Sequence, residues 1–389
     1  MEHKTGIESY YTMKNNKKLR FGYTTGTCAA AAAKAAVRML LTKQRVETIP
    51  LMTPKGILLD LEILDISCTD EMVSCAVKKD GGDDPDATNG ICIYAAVSKT
   101  SQPGVTIDGG RGVGRITKKG LEQPVGSAAI NRVPRQMITE AVTEICEACD
   151  YEGGISVVIS IPEGETISTK TFNPRLGIEG GISVLGTSGI VEPMSEAALI
   201  QTIRVEMQQR VENGAEYLLV TPGNYGAAYL REHMDIDFEQ NMKCSNYVGE
   251  TIDMAMEMGV KGILFISHVG KFIKVAAGIM NTHSHNADAR AEIIASNALR
   301  AGAEADTARA ILQTNTTDEA IQILKEQGIL QETMNEIMER ILYYLNFRSY
   351  HGMLMGAIIF SNEHGYLGQT DHVEELIEKI EQQKEDKGE

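Results

Sequence analysis

The sequence predicts a two-part protein: an α+β domain with a mixed sheet, followed by a mostly parallel three-layer α/β domain. Three observations carry this. β-rich runs separated by Pro, Gly and Asp turns crowd residues 46–98. An Ala-rich helix precedes them. From about residue 182, short apolar runs alternate with helical stretches and Gly-containing loops. With 389 residues, 43% of them apolar and 23% charged, each part has enough chain to bury a core without a disulfide or metal staple.

Residues 1–18 are polar, lack the apolar run of a secretory leader, and are expected to be frayed. The turn at 22–26 leads into the Ala-rich helix 28–41, with Thr25 or Thr27 placed to cap its start. VETIPLM (46–52), ILLDLEIL (57–64), EMVSCAV (71–77) and GICIYAAV (90–97) read as strands. Residues 104–126 hold seven Gly and read mostly as loop. A second helix follows: Pro134 suits its first turn, and Val133, Met137, Ile138, Val142 and Ile145 share one face. ISVVISI (155–161) is a further strand. The turn-rich segment 162–180 is the expected boundary, giving a first domain over 19–176 and a Rossmann-like domain over 177–370. In the latter, ISVL (182–185), YLLV (217–220), GILFIS (262–267) and MGAIIF (355–360) are the strands, with helices filling 286–345. The tail 371–389 reads as a solvated, charged amphipathic helix without chemistry.

The net charge of −16 argues against nucleic acid and anionic membranes as partners, and no basic stretch is interleaved with aromatics. Seven scattered Cys suit a reduced, cytoplasmic protein, and no stretch approaches the ~20 apolar residues of a membrane helix. Cys146-x-x-Cys149 falls in a helical pattern with no second pair and reads as structural thiols.

Four segments carry candidate chemistry. In 20–36 (RFGYTTGTCAAAAAKAA), Thr25, Gly26 and Thr27 open a helix whose backbone N–H groups suit an anion; the alternative is a capped, tightly packed helix. In KKDGGDDPDAT (78–88), Asp83, Asp84 and Asp86 are candidates for a general base; a polar hairpin loop is the alternative, and the calcium-loop pattern fails for want of a Glu at its last position. The stretch 101–135 sets Arg111, Arg115, Lys118, Lys119, Arg132 and Arg135 against only Asp108 and Glu122, which suits an acidic ligand unless it is surface scatter. Finally, His268, Lys271 and Lys274 precede His283 and His285. Hydrogen bonding or acid–base work fits these His better than a metal, and ordinary polar loops are the alternative. No protein-bound metal is predicted.

Taken in order, GYTTGTCAAAAAKAA, KKDGGDDPDAT, GGRGVGRITKKGL with PVGSAAINRVPRQM, TFNPRLGIEGGISVLGTSGIVEPMS and HVGKFIKVAAGIMNTHSH resemble the CbiD family of cobalt-precorrin-5B C-1 methyltransferases, from about residue 19 to about 365. One departure is Arg132, where the family more often has Pro. The resemblance implies methyl transfer from S-adenosylmethionine to carbon 1 of a cobalt-containing tetrapyrrole in anaerobic cobalamin synthesis, the cobalt belonging to the substrate. It also implies that the first domain is ribosomal S5 domain 2-like. On that reading Gly186, Thr187, Ser188, Gly189, Glu192, Thr221, Gly223 and Asn224 are candidates for the donor. Thr25, Gly26, Thr27, Arg111, Arg115, Lys118, Lys271 and Lys274 are candidates for the carboxylated macrocycle. Asp83, Asp84, Asp86 or His283 would serve if a ring proton must leave. The small-molecule tetrapyrrole is the expected partner, with room for transient contact with neighbouring pathway enzymes and no oligomeric state implied. A kinase-like phosphotransferase, suggested by the small-residue helix entries, and a non-catalytic tetrapyrrole carrier are the alternatives.

Overall fold

The computed structural model describes residues 3–171, 173–223 and 241–385. Two units, Met1–Glu196 and Ala197–Glu389, each have their own core.

The first unit is organised by helix α1 (Thr25–Thr42). A five-stranded sheet runs Leu64–Cys68, Met72–Lys78, Cys92–Thr100, Gly154–Ser160, Val105–Gly109 in spatial order. Its members are antiparallel except for the last pair. The helix lies against this sheet, the strand Thr48–Met52 and helix α2 (Arg132–Ala148). Enclosed this way, Ala29–Ala33, Ala35 and Ala36 are wholly inaccessible. Small side chains let the elements approach closely, so the Ala run is a packing requirement as well as a helix former. Thr24 caps the helix by accepting from the Thr27 amide at 3.2 Å, and Lys43 ends it in the left-handed region at φ 59°.

Two expectations for this half are corrected. The stretch before 19 is not frayed throughout: Tyr11–Lys14 and Lys17–Arg20 form a hairpin, turned by Asn15 and Asn16 at φ 50° and 58°. The Gly-rich stretch 104–126 is mostly loop, as expected, and also supplies the edge strand Val105–Gly109. The domain boundary lies after Glu196 rather than at 176. Gly181–Ile182 pairs with Gly112–Val113, Ile178–Glu179 with Arg115–Ile116, and Ile190–Val191 with Gly22–Tyr23. ISVL is therefore part of the first unit and not a strand of the parallel sheet. Glycine makes this possible, because a Cβ on Gly181 would run into the Gly112 carbonyl.

The second unit matches its predicted rhythm more closely. Its sheet runs Met242–Lys243, Tyr217–Thr221, Gly262–His268, Leu354–Ser361, Gly365–Gln369, parallel up to the last strand, which is antiparallel. Alternate residues serve opposite faces. Leu218, Val220, Ile263, Phe265 and Ile359 meet residues of helices Val248–Glu257, Arg290–Arg300 and Leu330–Arg348. Leu219, Leu264, Ile266, Ile358 and Phe360 meet Val373, Leu376 and Ile380 of helix Val373–Glu385. The charged tail is thus no solvated appendage: its apolar stripe covers one face of the sheet.

Candidate functional site

Three of the singled-out segments of the first unit meet in one place. The α1 entry is closed by the loop 185–189. Gly26 N donates to Leu185 O at 3.1 Å, and Thr25 Oγ1 both donates to Leu185 O at 3.2 Å and accepts from Leu185 N at 3.0 Å. Thr27 Oγ1 donates to Gly189 O at 2.6 Å, and Thr24 N donates to the same oxygen at 3.1 Å. Gly186 sits at φ 131°, where a Cβ would run into Thr24 Oγ1. Gly26 is itself pressed on α2, a Cβ there standing 2.8 Å from Pro134 Cγ. Thr25, Gly26 and Thr27 are therefore buried among chain partners. Of the loop they meet, Gly186 and Ser188 are partly exposed and Thr187 is exposed.

The acidic loop packs on the same entry. Asp80 accepts both guanidinium nitrogens of Arg20, at 2.7 and 2.8 Å, which holds its carboxyl below the usual range even though burial works the other way. Asp83 accepts from Arg20 N at 2.6 Å and Asp84 from Met194 N at 3.0 Å. Asp86 pairs with Lys79, whose side chain is 2% exposed, and accepts from the Thr88 hydroxyl at 2.7 Å. Burial works to raise the Asp86 pKa, but Lys79 and Thr88 offset it and keep the carboxyl ionised. Gly22 and Gly82 let the two backbones touch. Glu192 is paired with Lys55.

The basic stretch is displayed differently. Arg111 is 70% exposed and forks onto Glu165 at 3.0–3.2 Å. Arg115 forks onto Asp108 at 2.7 and 3.1 Å and also donates to Gly109 O. Arg135 donates to the carbonyls of Ile130, Ile107 and Ala128, and burial lowers its pKa. Lys118 is exposed with its stem over Gly177, and has no carboxylate partner among the described residues. Arg175, in the turn against this stem, is likewise exposed and unpaired; the sequence reading missed it because one Arg in NPRLG carries no pattern of its own. Arg132, the departure from the family pattern, opens α2, and its backbone N donates to Glu122 at 2.9 Å, a bond that Pro would forfeit.

In the second unit the candidates gather at the carboxyl ends of parallel strands. Thr221 is buried, its hydroxyl accepting from the Asn241 amide at 2.9 Å. Gly223 turns the chain at φ 110°, and a Cβ there would stand 3.4 Å from Lys271 Nζ. Lys271 lies just beyond the next strand, in the short helix Val269–Phe272 that His268 caps by accepting from Gly270 N at 3.1 Å. The Lys271 amine is partly buried, without a hydrogen-bond or ion-pair partner among the described residues, and burial lowers its pKa. Lys274 is 2% exposed and donates to Thr282 O at 3.1 Å. His283 follows on the surface, its Nδ1 accepting from His285 N at 3.1 Å. Asn224 lies outside the described residues. Asp318, Glu363 and His364 hold potential ligand atoms within 4.8 Å of one another, but His364 already contacts Lys325 through Nδ1 and the Asp318 carbonyl through Nε2. No helix among the described residues is long and apolar enough to cross a membrane.

The CbiD family model matches residues 12–193, within the first unit, and the CbiD C-terminal domain model matches residues 281–371, within the second. A relative from Ruminiclostridium cellulolyticum is 51% identical over 90% of this chain and 91% of its own length. One from Clostridioides difficile is 39% identical over 95% of this chain and 98% of its own length. Both are named cobalt-precorrin-5B C(1)-methyltransferase. A crystal structure of a cobalamin biosynthesis protein (cbiD) from Archaeoglobus fulgidus aligns at 30% identity over 73% of this chain and 88% of that one, with a TM-score of 0.40. On the family matches and the near full-length identity, the chain belongs to the CbiD family.

Proposed function

We propose that this chain methylates carbon 1 of cobalt-precorrin-5B, with S-adenosylmethionine as donor, to give cobalt-precorrin-6A in anaerobic corrin synthesis. The observation that carries the reading is the 51% identity to a protein of that name over nine-tenths of both chains. In the transfer, an electron pair of the ring carbon forms the new C–C bond and the C–S pair returns to sulfur, leaving neutral S-adenosylhomocysteine. The sulfonium is already activated, so alignment of methyl and ring carbon supplies most of the acceleration. Arg111, Arg115 and Lys118, with Arg175 beside them, take peripheral carboxylates of the macrocycle; their exposure in a chain of net charge −16 supports this. His283 is the better base for any departing ring proton, because Asp83 and Asp84 hold backbone amides and Asp86 holds Lys79. Lys274 acts as a positioning residue for the 282–285 loop, supported by its bond to Thr282 O.

The kinase-like alternative loses support at α1, where Leu185 and Gly189 carbonyls occupy the amides and hydroxyls a phosphate would need. Free thiols at all seven Cys support a cytoplasmic setting. Helices on both faces of the parallel sheet support the three-layer description, and α1 and α2 stacked on a mixed sheet support the ribosomal S5 domain 2-like one. The test is incubation of the purified chain with methyl-labelled S-adenosylmethionine and cobalt-precorrin-5B. Label in the ring, matched by S-adenosylhomocysteine, is expected. Macrocycle binding without label transfer would instead make the protein a carrier, and ATP consumption without transfer a phosphotransferase.

A further inference from the structure

Lys271 is an amine with an unmet need. It stands at the carboxyl ends of the adjacent parallel strands Tyr217–Thr221 and Gly262–His268, the edge at which open α/β sheets bind ligands. The positive φ of Gly223 leaves no side chain between the turn and the amine. Among the described residues its one ionisable counterweight is the Cys244 thiol, which burial pushes up to about 12 and so keeps neutral. A second ammonium, Lys274, lies close enough to repel it. Asp288, whose charge attracts Lys274, is forked by Arg290 at 2.5 and 2.9 Å. Two cations thus stand near one another with no carboxylate committed to either among the described residues, and burying an uncompensated charge is costly. One anionic group placed there relieves both.

We propose that Lys271 anchors the α-carboxylate of the methionine portion of the methyl donor, beside Gly223. This rests on the methyl-transfer reading and transfers Lys271 from the macrocycle to the donor. A single half-buried amine suits a single carboxylate on a small ligand. A macrocycle with acids around its rim needs cations spread over a surface, as Arg111, Arg115, Lys118 and Arg175 are.

The test is calorimetric titration of the whole chain, wild type, Lys271→Gln and Lys271→Arg, with S-adenosylhomocysteine and with 5′-methylthioadenosine, which lacks the amino-acid portion. Lys271→Gln should weaken S-adenosylhomocysteine by more than about tenfold while leaving methylthioadenosine within about twofold, and Lys271→Arg should restore most of the loss. Unchanged S-adenosylhomocysteine affinity, or equal loss for both nucleosides in a folded variant, would overturn the anchor alone. Failure of the wild type to bind either nucleoside would overturn the methyl-transfer reading and the anchor with it.

Discussion

In the first unit Arg111 and Arg115 stand at the surface, each already forked onto a carboxylate of its own unit. In the second, Lys274 is buried and Lys271 partly so, with no carboxylate in contact with either among the described residues. The first arrangement costs little and yields little, since exposed pairs are solvated whether made or broken. The second leaves cations in low-dielectric surroundings, where a ligand anion gains the most. A folded chain has no stability reason to keep such amines uncompensated, so a ligand is the better explanation of the second arrangement than of the first.

Lys79 sharpens the comparison, because it is as deeply buried as Lys274 but has Asp86 in hand. Asp86→Asn should cost about 3 kcal/mol, since it leaves the Lys79 ammonium buried and unpaired. Urea unfolding of the two proteins measures this. The folded Asp86 pKa lies below its unfolded value of about 4, so the pair's contribution is complete above that pH. It disappears as pH falls through the lower folded value, and Asp86→Asn should lose that part of the acid dependence.

Two glycines at positive φ offer a second contrast. Gly186→Ala forces a Cβ into Thr24 at the α1 cap, whereas at Gly223 the Cβ meets, among the described residues, only the movable end of Lys271. Thermal unfolding should show a loss of about 3 kcal/mol for Gly186→Ala and about 1 kcal/mol for Gly223→Ala. The smallest effects belong to the surface pairs. Arg111→Ala and Arg115→Ala should leave the melting temperature unchanged and weaken cobalt-precorrin-5B binding several-fold, more so at low salt, without changing S-adenosylhomocysteine affinity. Equal loss of both ligands would erase the proposed division between the units.

What the sequence made visible follows physical lines. YLLV, GILFIS and MGAIIF stand out because strands covered on both faces are continuously apolar. Val105–Gly109 was hidden among glycines whose role is backbone contact, which leaves no side-chain pattern. The late boundary was hidden for the same reason, since Gly112 and Gly181 pair through backbone alone. The tail helix kept its stripe of Val373, Leu376 and Ile380 under a covering of charge. At the site, YTTGT, the acidic loop and LGTSG were legible as unusual segments. Their interlocking was not, because hydrogen bonds across 160 residues leave no mark in local spacing. Gly223 and Lys271 were each visible as strand-end residues, and only the fold brought them together.

If Lys271 holds the methyl donor in the second unit, a bound ligand must show it. A crystal structure of the whole chain with S-adenosylhomocysteine tests it most directly. The ligand's carboxylate should lie about 2.8 Å from Lys271 Nζ, beside Gly223. A ligand whose carboxylate lies instead on the loop Gly186–Gly189, with Lys271 still unengaged, would contradict it.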